Sequence, residues 1–193
     1  MKTLYRFRGE ILGAFALALW MFPPGSGRVP LSVFPLMFLG IFLRVDARRL
    51  IGEHSRGSEK AAPKLVTCGI YSRIRHPLYA SNLCFCLAFI LFHLRFGWAA
   101  LGFFAFVFLF VLALAKSEEK FLEKKFGESF LTWKSCTAMF VPGRRHFDVE
   151  KVLKAERRPA ARAFIADRWT WFWILFYTFL LVARRSVDLP LGL

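Results

Sequence analysis

Five long apolar runs separated by basic stretches set the pattern of this chain, at roughly 4–22, 29–45, 77–94, 98–115 and 169–183. Apolar residues dominate each run instead of alternating with polar ones, and several runs fall short of the ~20 residues a helix needs to cross a hydrocarbon layer upright. The pattern predicts an all-α integral membrane protein of about five transmembrane helices. The first run is closed by Pro23, Pro24 and Gly25. The shorter runs can be extended by snorkelling Arg and Lys and by interfacial Trp20, Trp98, Trp169 and Trp171. Within Met1–Trp20, Lys2, Arg6 and Arg8 ahead of an apolar stretch resemble the start of a signal peptide, but the following "MFPPGSG" offers no small-x-small cleavage site, so a retained helix is expected.

Composition narrows the class. With 56% hydrophobic residues, 24 Phe and 6 Trp among 193 residues, the chain is too apolar for a water-facing surface of its size. A net charge of +15 could suit nucleic acid. Its distribution points elsewhere, because Lys and Arg sit between the apolar runs, where anionic headgroups lie, so the expected partner is the lipid bilayer and not nucleic acid. With the N-terminus cytoplasmic, segments 1–8, 44–76 and 116–168 hold 24 of the 28 Lys and Arg, leaving Arg28, Arg95, Arg184 and Arg185 outside. A bacterial inner membrane or the endoplasmic reticulum fits this helical design. Cys68, Cys84, Cys86 and Cys136 form no ligand or disulfide pattern, so free thiols and no metal are expected.

The cytoplasmic stretches carry helical periodicity of their own. "KSEEKFLEKKFGESFLTW" (116–133) continues the fourth run as a helical extension until Gly127 breaks it. A weaker helix is predicted over Asp148–Arg157, ended by Pro159. The chain divides into residues 1–59 (two spans and a loop), 60–143 (a core) and 144–193 (a linker and the last span).

Candidate chemistry gathers in that core. In "GIYSRIRHPLYASN" (69–82), Pro77 suits a first helical position and puts His76 at the cap. From there Tyr79, Asn82, Cys86, Phe89 and His93 recur at spacings of 3 and 4, one polar stripe that lipid would penalise and that should face protein or water. The same residue types also serve as interfacial anchors (Arg75, His76, Tyr79) or helix-to-helix hydrogen-bonding groups (Asn82). Glu118 and Glu119 sit past the fourth run among lysines, a setting that equally suits a solvated helix. An antiparallel pair of spans joined by the short turn between His93 and Trp98 would bring His76 and the two carboxylates to one membrane boundary.

"LVTCGIYSRIRHPLYAS", then "SEEKFLEKKFGESFLTW", then "VP", resembles the membrane-embedded methyltransferases typified by isoprenylcysteine carboxyl methyltransferase and phosphatidylethanolamine N-methyltransferase, over about residues 60–143. The resemblance implies S-adenosylmethionine in a cytoplasmic pocket formed by loops and the helical extension, lined by Pro63, Lys64, Leu65 and Val66, by Tyr71, by His76, Pro77, Leu78 and Tyr79, and by Glu118. Arg75 or His76 would hold the methionine carboxylate, Glu118 would accept from ribose hydroxyls or the amino group, and the tyrosine faces would meet the sulfonium. The acceptor would be lipophilic, a prenylcysteine-like carboxylate or a lipid headgroup. Glu119, as proton acceptor for an amine, and Arg75 are the expected catalytic groups, with Asn82 and Lys116 on the substrate. Three positions depart from the family pattern: Leu114 replaces an arginine, Ser81 a glycine, and Phe130 and Trp133 two tyrosines. Two other readings stand beside this one. One is a sterol-reductase-like enzyme using Arg44, Arg48 and Arg49 for an NADPH phosphate; the other is a degenerate scaffold.

Overall fold

The computed structural model describes residues 7–51, 64–142 and 157–188. These form seven α-helices: α1 (Arg8–Met21), α2 (Val33–Ile51), α3 (Pro77–Leu94), α4 (Trp98–Phe126), α5 (Glu128–Cys136), α6 (Ala160–Ala166) and α7 (Arg168–Asp188). A 3-10 turn spans Gly69–Ser72, and the described residues contain no strand, only an isolated parallel bridge between Ile74 and Ala138. The helix predicted over Asp148–Arg157 lies, apart from Arg157, outside the described residues.

Local chemistry sets the boundaries. Phe22 is extended, as a residue before proline tends to be, and it ends α1. Pro77 opens α3 at a position where its missing N–H costs nothing. Gly127, at φ +52, takes the left-handed turn that stops α4 and starts α5. With 29 residues, α4 is about 43 Å long at ~1.5 Å per residue, well over the ~30 Å hydrocarbon thickness. Its last turns therefore extend beyond a bilayer core, and they carry Glu118 and Glu119.

α3 and α4 are long and apolar enough to cross a membrane by length and composition. The described part of α1 is only 14 residues, and the apolar run of α2 is cut by Arg44, Asp46, Arg48 and Arg49. α2 lies along α3, with Gly40 so close to the Phe85 ring that a Cβ would sit 2.8 Å from it. Ser81 is fully buried there and donates 2.8 Å to the Gly40 carbonyl, so the close approach relies on a glycine of α2 opposite a serine of α3. Outward, Phe34, Phe38 and Phe42 of α2 and Phe172, Phe176 and Phe179 of α7 are exposed, a surface that suits hydrocarbon as solvent.

The polar stripe of α3 faces protein, as expected. Asn82 meets Arg44, Phe89 packs edge-on against Tyr177, and His93 is fully buried against the Phe22 carbonyl. All four cysteines are free. Polar groups gather at the two ends of the bundle. One end joins the C-terminus of α2, the start of α3, the far end of α4 and the start of α7. The other joins the end of α1, the α3–α4 turn and the end of α7.

Candidate functional site

At the first end, the chain before α3 runs beside the segment after α5. The Arg75 and His76 amides donate to the Ala138 and Met139 carbonyls at 2.8 and 3.1 Å. Arg75 Nε donates 2.7 Å to Glu119 Oε1, while Nη1 donates to the carbonyls of Lys134 (3.0 Å) and Thr137. His76 Nε2 stands 3.3 Å from the same Glu119 oxygen, and Lys134 Nζ is 3.3 Å from the other. Glu119 thus joins the entrance of α3, the far end of α4 and the last turn of α5. It is only 5% exposed. Burial alone would raise its pKa, but the hydrogen bonds from His76 and Arg75 and their charges outweigh burial and hold it down at about 2.

Glu118 has a different setting. Consecutive residues of a helix point ~100° apart, so Glu118 shares the side of Leu122 and Phe126, which pack on a cluster of Ala47, Leu50, Tyr71, Phe130 and Trp133. Tyr71 is buried there in the 3-10 turn that Gly69 opens at φ +56. A Cβ on Gly69 would lie 2.7 Å from Leu50. Trp133 Nε1 donates 2.8 Å to the Tyr71 carbonyl and fixes the turn. Burial first, and then the charge of Glu118, push the Tyr71 hydroxyl pKa up against the lowering effect of Arg48 and Arg44. The phenol is neutral and Glu118 lies within its electrostatic reach. Glu118 is half-buried and makes no hydrogen bond or ion pair with the described residues.

Around this pair stand the other expected site residues. Leu65, Val66 and Leu78 pack on the Tyr71 cluster, Pro77 is buried, and the Tyr79 ring is 5.6 Å from His76. Lys64 and Lys116 are exposed. Pro63 lies outside the described residues. Asn82 accepts 2.8 Å from Arg44 Nη1 and so belongs to a second polar lattice.

That second lattice has no counterpart in the sequence reading. Arg44 Nε and Arg48 Nη2 pair with Asp167 at 2.7 and 3.1 Å, and Arg44 also donates 3.0 Å to Thr170. Asp167 is fully buried between α6 and α7. One signal was available: it is the sole acidic residue between Glu156 and Asp188. Leu114, in place of the family arginine, is buried among Leu83, Val107, Phe110 and Val111, an apolar site with no room for an unpaired charge.

Residues 31–129 match the family model described as phospholipid methyltransferase. That stretch is just over half of the chain and contains both the Arg75–Tyr79 motif and the two carboxylates. The chain belongs to the phospholipid methyltransferase family. No curated protein and no solved structure matches it. Family membership supports methyltransferase activity at a membrane, on lipid, and lends nothing to the reductase or scaffold readings. Arg44 and Arg48, needed for the reductase, are engaged by Asp167.

Proposed function

We propose that this protein is an integral membrane S-adenosylmethionine-dependent methyltransferase with five spans, a cytoplasmic N-terminus and a cytoplasmic active site, acting on a lipophilic acceptor. The observation that carries this reading is the contact of His76 with Glu119, which holds the two family motifs together at one end of the bundle while leaving Glu118 beside Tyr71 without an ion pair among the described residues. A half-buried carboxylate next to aromatic faces fits a cationic, hydroxyl-rich nucleoside ligand. When bound, S-adenosylmethionine would supply an electrophilic methyl group.

Glu118 would accept from its ribose or amino group, and Tyr71 and Tyr79 would flank the sulfonium. His76 and Arg75 lie on the side that would receive its carboxylate, with Leu65, Val66 and Leu78 closing the apolar wall. The protein's work is then alignment and exclusion of water. Glu119 suits positioning better than proton abstraction, because a carboxylate held at about 2 is a weak base. A carboxylate acceptor, or an amine that arrives neutral, fits that environment. Lys116, exposed one turn short of Glu119, would face headgroups.

Titration of S-adenosylhomocysteine into the detergent-solubilised protein tests the proposal. Micromolar binding that weakens tenfold or more in Glu118→Ala is expected, the scale of one lost charge-assisted hydrogen bond. Binding of NADPH with no response to S-adenosylhomocysteine would overturn it.

A further inference from the structure

A stretch beyond residues 31–129, the part matched by the family model, returns to the Tyr71 turn. Just ahead of α6, Arg158 is tied to the end of α2 in both directions: its amide donates 3.0 Å to the Arg49 carbonyl, and Arg49 Nε donates 3.1 Å to the Arg158 carbonyl. Pro159 is extended and starts α6, whose other end runs into the buried Asp167. The backbone next to Arg157 is therefore held against α2, and this brings the Arg157 guanidinium to Gly69. Its Nη2 lies 3.4 Å from the point that a Cβ on Gly69 would occupy, and Leu50 Cδ1 lies 2.7 Å from the same point.

Arg157 is exposed, so a ligand arriving from solvent can reach it, and it makes no hydrogen bond or ion pair among the described residues. It also borders the same surface as the candidate site. Leu50, which touches Gly69, packs with Tyr71 in the cluster that gathers Leu65, Val66, Cys68 and Leu122. Gly69 and Tyr71 are two steps of one 3-10 turn, roughly 4 Å apart along its axis at ~2 Å per residue. Glu118 acts on the Tyr71 hydroxyl from the α4 side. Two opposite charges without partners thus flank one short turn, Glu118 at Tyr71 and Arg157 at Gly69.

The chemistry of a guanidinium decides what it offers there. It is planar, less hydrated than an ammonium and stacks on aromatic rings. In the orientation proposed above, the ligand's carboxylate lies toward His76 and its sulfonium between Tyr71 and Tyr79. The base is the opposite end of that ligand, and Gly69 is the opposite end of the motif from His76. A second cation beside the sulfonium would repel it, whereas at the base end it meets a neutral π face. We infer that Arg157 is a cofactor-binding residue that stacks its guanidinium on the adenine ring of S-adenosylmethionine beside Leu50. The inference rests on the cofactor reading proposed above and adds to it a residue from outside the family motifs.

Titration of the detergent-solubilised full chain with two ligands tests it: S-adenosylhomocysteine, and 5′-methylthioadenosine, which keeps the base and lacks the amino-acid end. Arg157→Gln should weaken both by the same factor, about three- to fivefold, the scale of a partly exposed cation–π contact. Arg157→Lys, which keeps the charge and loses the plane, should fall between wild type and Arg157→Gln for both. Because Arg157 is exposed and unpaired, both variants should keep the wild-type thermal midpoint. Unchanged affinity for both ligands in Arg157→Gln would make Arg157 a solvated cation and overturn the inference. Loss for S-adenosylhomocysteine alone would move Arg157 to the carboxylate, and full recovery in Arg157→Lys would reduce its role to bare charge; either result overturns the stacking assignment while the cofactor reading stands. Failure of the wild type to bind either ligand would remove the cofactor reading itself, and the inference with it.

Discussion

The two ends of this bundle handle buried arginine in opposite ways. At the end holding the candidate site, three arginines that join the described helices meet carboxylates: Arg75 meets Glu119, and Arg44 and Arg48 meet Asp167. At the other end, Arg95 and Arg185 meet backbone carbonyls and each other. A charge removed from water is tolerable when its partner is built in, and otherwise the protein stores an unsatisfied group. The first end is thus tied together by its own sequence, with Glu118 making no ion pair among the described residues. The second end is left cationic.

The sharpest way to break the contrast is Asp167→Asn. It deprives two buried guanidinium groups of the carboxylate they share and cuts the tie between α7 and α2, a loss of about 3–5 kcal/mol. Thermal unfolding in detergent should show the largest drop of any single polar substitution in the chain. A midpoint close to wild type would mean that α7 is held by its apolar contacts alone.

Next in size is Glu119→Gln, which weakens its links to Arg75, His76 and Lys134 at once and should cost about 2–3 kcal/mol. The same residue predicts a pH dependence. Its folded pKa, about 2, lies below the ordinary 4.5, so its contribution is complete above pH 4.5 and is lost as pH falls from there toward 2. Wild type should hold its midpoint between pH 7 and 5 and lose it below 4.5. In Glu119→Gln that acid-sensitive component should be absent, and an identical acid profile in the two proteins would contradict the assignment.

Glu118→Gln, one residue away, should do the reverse. With no ion pair to lose among the described residues, stability should stay within about 0.5 kcal/mol, while the affinity for S-adenosylhomocysteine falls about tenfold, or 1.4 kcal/mol. Equal effects of the two substitutions on stability would erase the distinction between a carboxylate that builds the site and one that serves it.

That distinction also marks how far the sequence could be read. Apolar run length predicted α3 to the residue and the start of α4, and the helical extension broken by Gly127 predicted where α4 ends, because Pro77 and Gly127 are strong local punctuation. The meeting of His76 with Glu119 followed from an antiparallel hairpin, which needs only a short turn. The different orientations of Glu118 and Glu119 could have been taken from helical phase, but which one faced cations depended on the chain after α5 folding back beside Ile74–His76, a pairing without periodic signal. Asp167 was hidden for a similar reason. Its partners lie more than a hundred residues away, and a lone acid in a basic linker resembles a solvated one. Asn82 meets α2 through Arg44, the helix-to-helix hydrogen bond that its residue type suited from the start.

The smallest expected effect sharpens the comparison most. Arg185→Gln removes one of two facing cations and only long contacts of 3.3–3.4 Å to carbonyls, which a glutamine amide can partly replace. Relief of repulsion offsets the lost bonds, so the stability in detergent should move by no more than about 0.5 kcal/mol in either direction. At the opposite end, Arg48→Gln leaves a buried carboxylate short of a partner and should cost several times more. Comparable losses for the two arginines would show that the outer cluster is as self-sufficient as the inner one, with its carbonyls standing in fully for a counter-ion.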